Sequence, residues 1–177
     1  MKNIIFTGIP GSGKSTLGRY AADILGLPFY DTDTLTIERH QSSSSRLDLF
    51  DLANAGQYQI SQIRIMDELS RLKRPAVIST GAEVALIPEC AKIMKESGIV
   101  ILVQRKPRLI LKDMKKDRKT IFEHNSRMID IHREEIRLYR EEYSKYEALA
   151  DYVLENNGSM NEGLEKLLKI EAITELG

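Results

Sequence analysis

The sequence predicts a three-layer α/β/α domain built on a parallel sheet. Three observations predict it. Five short apolar runs alternate with helical stretches. The first run leads straight into Gly8-Ile9-Pro10-Gly11-Ser12-Gly13-Lys14-Ser15-Thr16, which fits the phosphate-loop pattern G-x-x-x-x-G-K-[ST]. A purely helical insert, residues 34–74, separates the second run from the third. At 177 residues the chain is long enough for one domain with a sizeable core, and residues 1–177 read as a single unit.

Ile4, Ile5 and Phe6 make the first strand, a continuous apolar run suited to burial on both faces. In the loop that follows, Gly8, Gly11 and Gly13 allow positive φ and a close approach to a polyphosphate. The loop N–H groups, with those of Ser12 and Thr16 at the opening helix, form an anion cradle. Lys14 sets an ammonium against the β- and γ-phosphates of ATP, and Ser15 offers a hydroxyl to Mg²⁺. Leu17, Tyr20, Ala21, Ile24 and Leu25 recur at helical spacing until Gly26 ends the helix.

Leu27-Pro28-Phe29-Tyr30 is the second strand, and Asp31-Thr32-Asp33 stands at its carboxyl end, the ligand edge of an open α/β sheet. Two carboxylates there suit a metal-linked role for one and a proton-accepting role for the other. The alternative is a polar turn with Asp33 capping the next helix. The insert holds a short helix from Thr34 to His40 and a serine-rich loop at 41–45. Ser45 and Asp48 are placed to cap a further short helix. A longer helix then runs from Gln57 to about Lys73, with Ile60, Ile63, Met66, Leu69 and Leu72 expected on one face.

Residues 75–79 make the third strand, and Thr80-Gly81-Ala82 its turn at the ligand edge. A helix from Pro88 to Ser97 precedes the fourth strand, residues 99–103, which is hydrophobic enough to lie in the sheet centre. Residues 105–119 are strongly basic, mostly a solvated face. In a phosphoryl transferase such a segment can close over the nucleotide, with Arg118 the candidate to meet the transferred group. A long helix is expected from about Arg127 to Ala150, with its tyrosines used for packing. Residues 151–154 form the fifth strand, and the turn at 155–159 flanks a nucleotide base or simply connects to a last helix.

The totals narrow the partners. Lys plus Arg and Asp plus Glu both number 26, which gives no sign of a nucleic-acid or anionic-membrane partner. One cysteine, Cys90, rules out an intramolecular disulfide and suits a reducing compartment; in its apolar surroundings it reads as a small buried hydrophobe. No apolar run approaches the length of a membrane helix, and the early apolar run lacks the organisation of a signal peptide. The expectation is a cytoplasmic monomer. His40, His124 and His132 have no metal-ligand spacing.

On these motifs the chain resembles the shikimate kinase family, a branch of the nucleoside monophosphate kinase-like group. The likeness rests on Gly8 to Thr16, on residues 27–33 followed by Ile37-Glu38, and on Asp48-Leu49-Phe50 with Gly56. It continues through Thr80-Gly81, Arg118, and residues 137–141 leading to Ala150-Asp151. The resemblance implies a sheet ordered 2-3-1-4-5, an acceptor-binding insert and a lid at about 112–126. It implies that Asp31 helps hold Mg²⁺ and that Asp33 binds the hydroxyl to be phosphorylated. Arg118 would be the lid arginine, and Arg137 would bind the acceptor carboxylate, with Gly81 and Ala82 beside it. The chain departs from the family on the acceptor side. Ser61 stands where the family has an arginine, Gly81-Ala82-Glu83 replaces three glycines, and Lys119-Thr120-Ile121 replaces Pro-Leu-Leu. Arg64, three residues after Ser61, is on the same helix face, placed to take the carboxylate or to pair with Glu83. The function implied is ATP-dependent phosphorylation of shikimate. A kinase of another small polyol, hydroxy acid or nucleotide is the rival, and a non-catalytic nucleotide-binding regulator is the reading from a different class.

Overall fold

The computed structural model describes residues 2–39, 56–116, 136–137, 140–170 and 173. Five strands form one parallel sheet: β1 (Asn3–Thr7), β2 (Phe29–Asp31), β3 (Val77–Ser79), β4 (Gly98–Gln104) and β5 (Tyr152–Glu155). Their order is β2-β3-β1-β4-β5, as the resemblance implies. The middle place belongs to β1, which is wholly buried; β4 lies beside it as an interior strand rather than at the centre expected for it. Hydrophobicity marks β4 as interior, but the crossover pattern decides which interior strand is central.

Helices cover both faces. One core packs Ile5, Ile78, Val100 and Leu102 under Ile65, Met66, Cys90 and Met94. The other packs Ile4, Phe6, Val77, Ile101 and Val103 under Leu17, Ala21 and Leu167. These residues come from α1 (Lys14–Leu25), α3 (Gln57–Ser70), α4 (Pro88–Ser97) and α7 (Met160–Leu168). Between them run α2 (Thr32–Arg39), α5 (Pro107–Lys116) and α6 (Tyr143–Leu149). The buried amide of Asn3 ties the sheet's amino edge together: it accepts from Ala76 N at 2.9 Å and donates to Leu69 O at 3.3 Å. Two alternating faces and a parallel sheet place every strand's carboxyl end on one edge, where ligands bind in this class of fold.

Two expectations need correction. The buried face of α3 is Tyr58, Ser61, Gln62, Ile65, Met66 and Leu69, while Ile60 is 53% exposed. A strict three-residue spacing drifts by about 60° per step around a helix of 3.6 residues per turn, so Ile60 and Leu69 cannot share one face. The inward place is taken instead by Gln62, whose Nε2 donates to Thr36 Oγ1 at 2.7 Å. The long helix expected to reach Ala150 is interrupted at Glu142 (φ −103°, ψ 11°), and α6 starts afresh at Tyr143. The new helix buries Tyr146 and Leu149 against the sheet, and Tyr146 Oη donates to Ala82 O at 2.7 Å. The tyrosine is therefore packing, as expected, with its hydroxyl satisfied. The serine-rich loop, the Ser45–Asp48 cap, Arg118 with residues 117–126 of the lid, His124 and His132 lie outside the described residues.

Candidate active site

The loop after β1 turns through Gly8, Gly11 and Gly13 at φ 141°, 74° and 94°. At Gly13 the requirement is twofold. Its φ is left-handed, and a Cβ there would come within 2.4 Å of Asn156 Nδ2. That amide is buried and donates to Ser12 O at 2.8 Å. The next residue, Asn157, accepts from Lys106 N at 2.9 Å. The turn after β5 thus braces the phosphate loop from behind and ties it to the end of β4. The sequence left this turn either flanking a nucleotide base or simply connecting to the last helix; its contacts reach the phosphate loop itself.

Gly13 caps α1 without a side-chain partner, so the first N–H groups of the helix point into the loop. Lys14 opens the helix and is almost fully buried, with Nζ donating to Ile9 O at 3.4 Å. The ammonium therefore lies folded over the loop. A ring of N–H donors, a helix N-terminus and an ammonium together make a polyanion site.

Beside it lie three oxygens. Ser15 Oγ donates to Asp31 Oδ2 at 2.9 Å and lies 3.0 Å from Ser79 Oγ. A hydroxyl carries one proton, and that of Ser15 goes to the carboxylate. Ser79 must then donate to Ser15, which leaves one Ser15 lone pair to face outward. Ser79 is fully buried at the end of β3. It was missed in the sequence because nothing in its strand distinguishes it from a core serine; only the β1–β3 pairing brings it to Ser15. Hard oxygens in this number suit Mg²⁺, which keeps most of its waters. Among the described residues no group of three or more His, Cys, Asp or Glu could hold a metal ion.

The two aspartates separate clearly. Asp31 Oδ1 accepts from Asp33 N at 3.1 Å and Thr34 N at 3.2 Å, so Asp31, not Asp33, caps α2. The polar-turn alternative is correct for the motif but assigns the cap to the wrong residue. Asp33 is thereby released to point elsewhere. Its Oδ1 accepts from Tyr58 Oη at 3.4 Å and crowds Gly81, where a Cβ would fall 2.4 Å from that oxygen. Gly81 N in turn donates to Thr32 Oγ1 at 3.0 Å. The ends of β2 and β3 and the start of α3 therefore meet around one carboxylate.

The acceptor-side residues are partly gathered. Ser61 is buried and Arg64 is exposed. Both line a cavity of about 440 Å³ with Arg39, Gln57, Ile60 and Glu68. Arg64 makes no ion pair with any described residue, Glu83 included. Ala82 opens a 3₁₀ turn, Ala82–Leu86, at the end of β3. Arg137 Nη1 donates to Glu141 Oε1 at 2.7 Å on an exposed surface. Cys90 is fully buried, and burial, helped by Glu89, pushes its thiol up to about 12, so it is no nucleophile.

A parallel sheet of this order, with a phosphate loop after its first strand and carboxylates at the edge of the second, defines a P-loop phosphotransferase of the nucleoside monophosphate kinase-like group. The sequence pattern of the shikimate kinase family matches residues 10–171. The chain belongs to the shikimate kinase family. A shikimate kinase from Enterococcus faecalis is 30% identical over 173 residues, 96% of this chain and 98% of that one. One from Caldicellulosiruptor saccharolyticus is 33% identical over 117 residues, and that match spans 66% of each chain, just under two thirds. Among solved structures, shikimate kinase from Acinetobacter baumannii in complex with shikimate superposes with a TM-score of 0.79. It is 23% identical, covering all of this chain and 96% of that one, a likeness of fold.

Proposed function

We propose that this protein transfers the γ-phosphoryl group of ATP to a hydroxyl of a small acid, with shikimate the leading acceptor and shikimate 3-phosphate the product. The observation that carries this reading is the placing of Asp33. Its carboxylate is freed from the helix cap and held at the sheet edge, while Asp31 serves the oxygen cluster beside the phosphate loop. In the reaction the acceptor oxygen bonds to the γ-phosphorus as the bond to the β-phosphate oxygen breaks. Asp33 takes the proton of the alcohol, and ADP leaves with the electron pair of the broken bond. The loop N–H groups of Gly8, Gly11, Gly13 and Thr16 hold the phosphates, while that of Ser12 donates to Ile9 O at 3.2 Å and shapes the loop. Lys14 stabilises the charge that spreads over the transferred group. Mg²⁺ supplies charge neutralisation between the phosphates when bound, and Ser15 and Asp31, steadied by Ser79, are the residues that would hold it.

Arg118 meets the transferred group from the lid at about 112–126, and the insert at 34–74 binds the acceptor. Arg137 and Arg64 bind its carboxylate, with Gly81 and Ala82 lining the same side. One kinase domain, residues 1–177, working as a cytoplasmic monomer, completes the reading.

A second reading is favoured by Ser61, Ala82 and Glu83: the same chemistry on a different polyol acid. Loss of a bidentate arginine–carboxylate contact removes a large part of small-acid recognition. Acceptor-dependent ADP release decides between them, measured with shikimate, quinate, gluconate and nucleoside monophosphates at saturating Mg·ATP. Shikimate is expected to give the highest kcat/KM. A higher value for another acid transfers the assignment to that acid, and no acceptor-dependent release with any of them rejects the kinase reading in favour of a regulator.

A further inference from the structure

We infer that Tyr58 is the positioning residue for the acceptor base Asp33, and that a polar zipper between α2 and α3 holds it there; the inference rests on the kinase reading of Asp33. Three rungs join the two helices in matching order. Tyr58 Oη donates to Asp33 Oδ1 at 3.4 Å. Gln62 Nε2 donates to Thr36 Oγ1 at 2.7 Å, and Thr36 passes its own proton to Thr32 O at 2.7 Å. Arg39 grips both carboxylate oxygens of Glu68, at 3.0 and 2.5 Å. Residues 33, 36 and 39 thus meet 58, 62 and 68 in turn, so α2 and α3 run side by side in the same direction.

The geometry at the top rung is confined. Tyr58 is buried, and Gly81 closes the remaining side: a Cβ there would meet Asp33 Oδ1 at 2.4 Å and Tyr58 Oη at 2.8 Å. A carboxylate on a helix's first turn has rotamer freedom unless something fixes it. Here the phenol holds one oxygen, which sets the plane of the carboxyl group and the direction in which it meets a substrate hydroxyl. The lower rungs set the rotation of α3 about its axis, and with it the position of Tyr58.

The test uses the full chain carrying Tyr58→Phe, which keeps the ring in its buried place. Two readouts are taken. With the best acceptor of the panel, kcat is expected to fall about tenfold while KM for ATP stays within twofold. In the Asp33→Asn background the same change is expected to have no further effect on the residual rate, because the group that the hydroxyl then positions is no base. The second readout needs no acceptor: the ¹³C carboxyl resonance of Asp33, assigned by its loss in Asp33→Asn, is expected to shift at fixed pH in Tyr58→Phe. The charges on the surrounding elements, Lys14, Asp31, Arg39, Arg64, Glu68 and Glu83, are the same in both proteins, so the shift isolates the hydroxyl. An unshifted carboxyl resonance, or a full additive loss in the Asp33→Asn background, overturns the role of Tyr58. Failure of the unaltered chain to phosphorylate any acceptor would instead reject the kinase reading, and the carboxyl resonance would still decide whether Tyr58 holds Asp33.

Discussion

Asp33→Asn is expected to lower acceptor-dependent turnover by about 10³-fold, within the range for removing a general base. The amide keeps the size of the side chain and can still accept from Tyr58 Oη. It cannot take a proton, and it has no charge to favour departure of the proton from the alcohol. ATP affinity is expected to stay within about twofold, because in the proposed mechanism the loop and Lys14 hold the phosphates and the Ser15–Asp31 pair would hold Mg²⁺. ATP titration by calorimetry, beside a coupled ADP assay, checks both halves. Turnover within tenfold of the unaltered enzyme would remove Asp33 from the base role. A parallel loss of ATP affinity would place it on the nucleotide side.

Lys14→Met should likewise separate nucleotide binding from transfer. The loop's backbone donors and the amino end of α1 remain, so ADP binding should weaken by less than about tenfold. In the proposed mechanism the ammonium follows charge as it moves toward the bridging oxygen. Its loss is expected to lower kcat by about 10²–10³-fold, comparable to deleting a single well-placed electrostatic donor. Methionine preserves the apolar stem of a side chain that is buried almost completely, so packing is little disturbed. A kcat within tenfold of the unaltered enzyme would mean that Lys14 serves binding alone.

Much of this site could be read before any coordinates. The phosphate loop is contiguous, and its chemistry is carried mainly by backbone, so spacing alone announces it. Asp31 and Asp33 were legible from their place at the end of β2, although their local jobs were not: the cap falls to Asp31, a choice made by dihedral angles that the pattern Asp-Thr-Asp leaves open. Ser79, Tyr58 and Asn156 were not legible as site residues. Each reaches the site from a distant part of the chain, through the β1–β3 pairing, the α2–α3 contact or the turn after β5. No periodicity records such meetings. The break at Glu142 escaped notice for a related reason. Neither glycine nor proline marks it, and it is set by the demand that Tyr146 and Leu149 pack inward. The apolar pattern hides the buried face of α3, because that face includes Gln62, whose partner lies on α2.

The departures from the family pattern fall around the acceptor. Ser61 is buried in the wall of the α2–α3 cavity, and the exposed guanidinium of Arg64 stands one turn further along. Among the described residues the nucleotide half keeps the phosphate loop, Lys14 and the Ser15–Asp31 pair. The chain is therefore read as a kinase whose chemistry is set by the loop and the aspartates and whose acceptor is selected by α3.

The phosphoryl group is expected to go to an alcohol rather than to water. ³¹P NMR of the enzyme with Mg·ATP and shikimate follows that group directly. A new phosphomonoester resonance is expected to grow in step with ADP while inorganic phosphate stays at the background level. Growth of inorganic phosphate with no phosphomonoester, under the same conditions and with every acceptor of the panel, would contradict it.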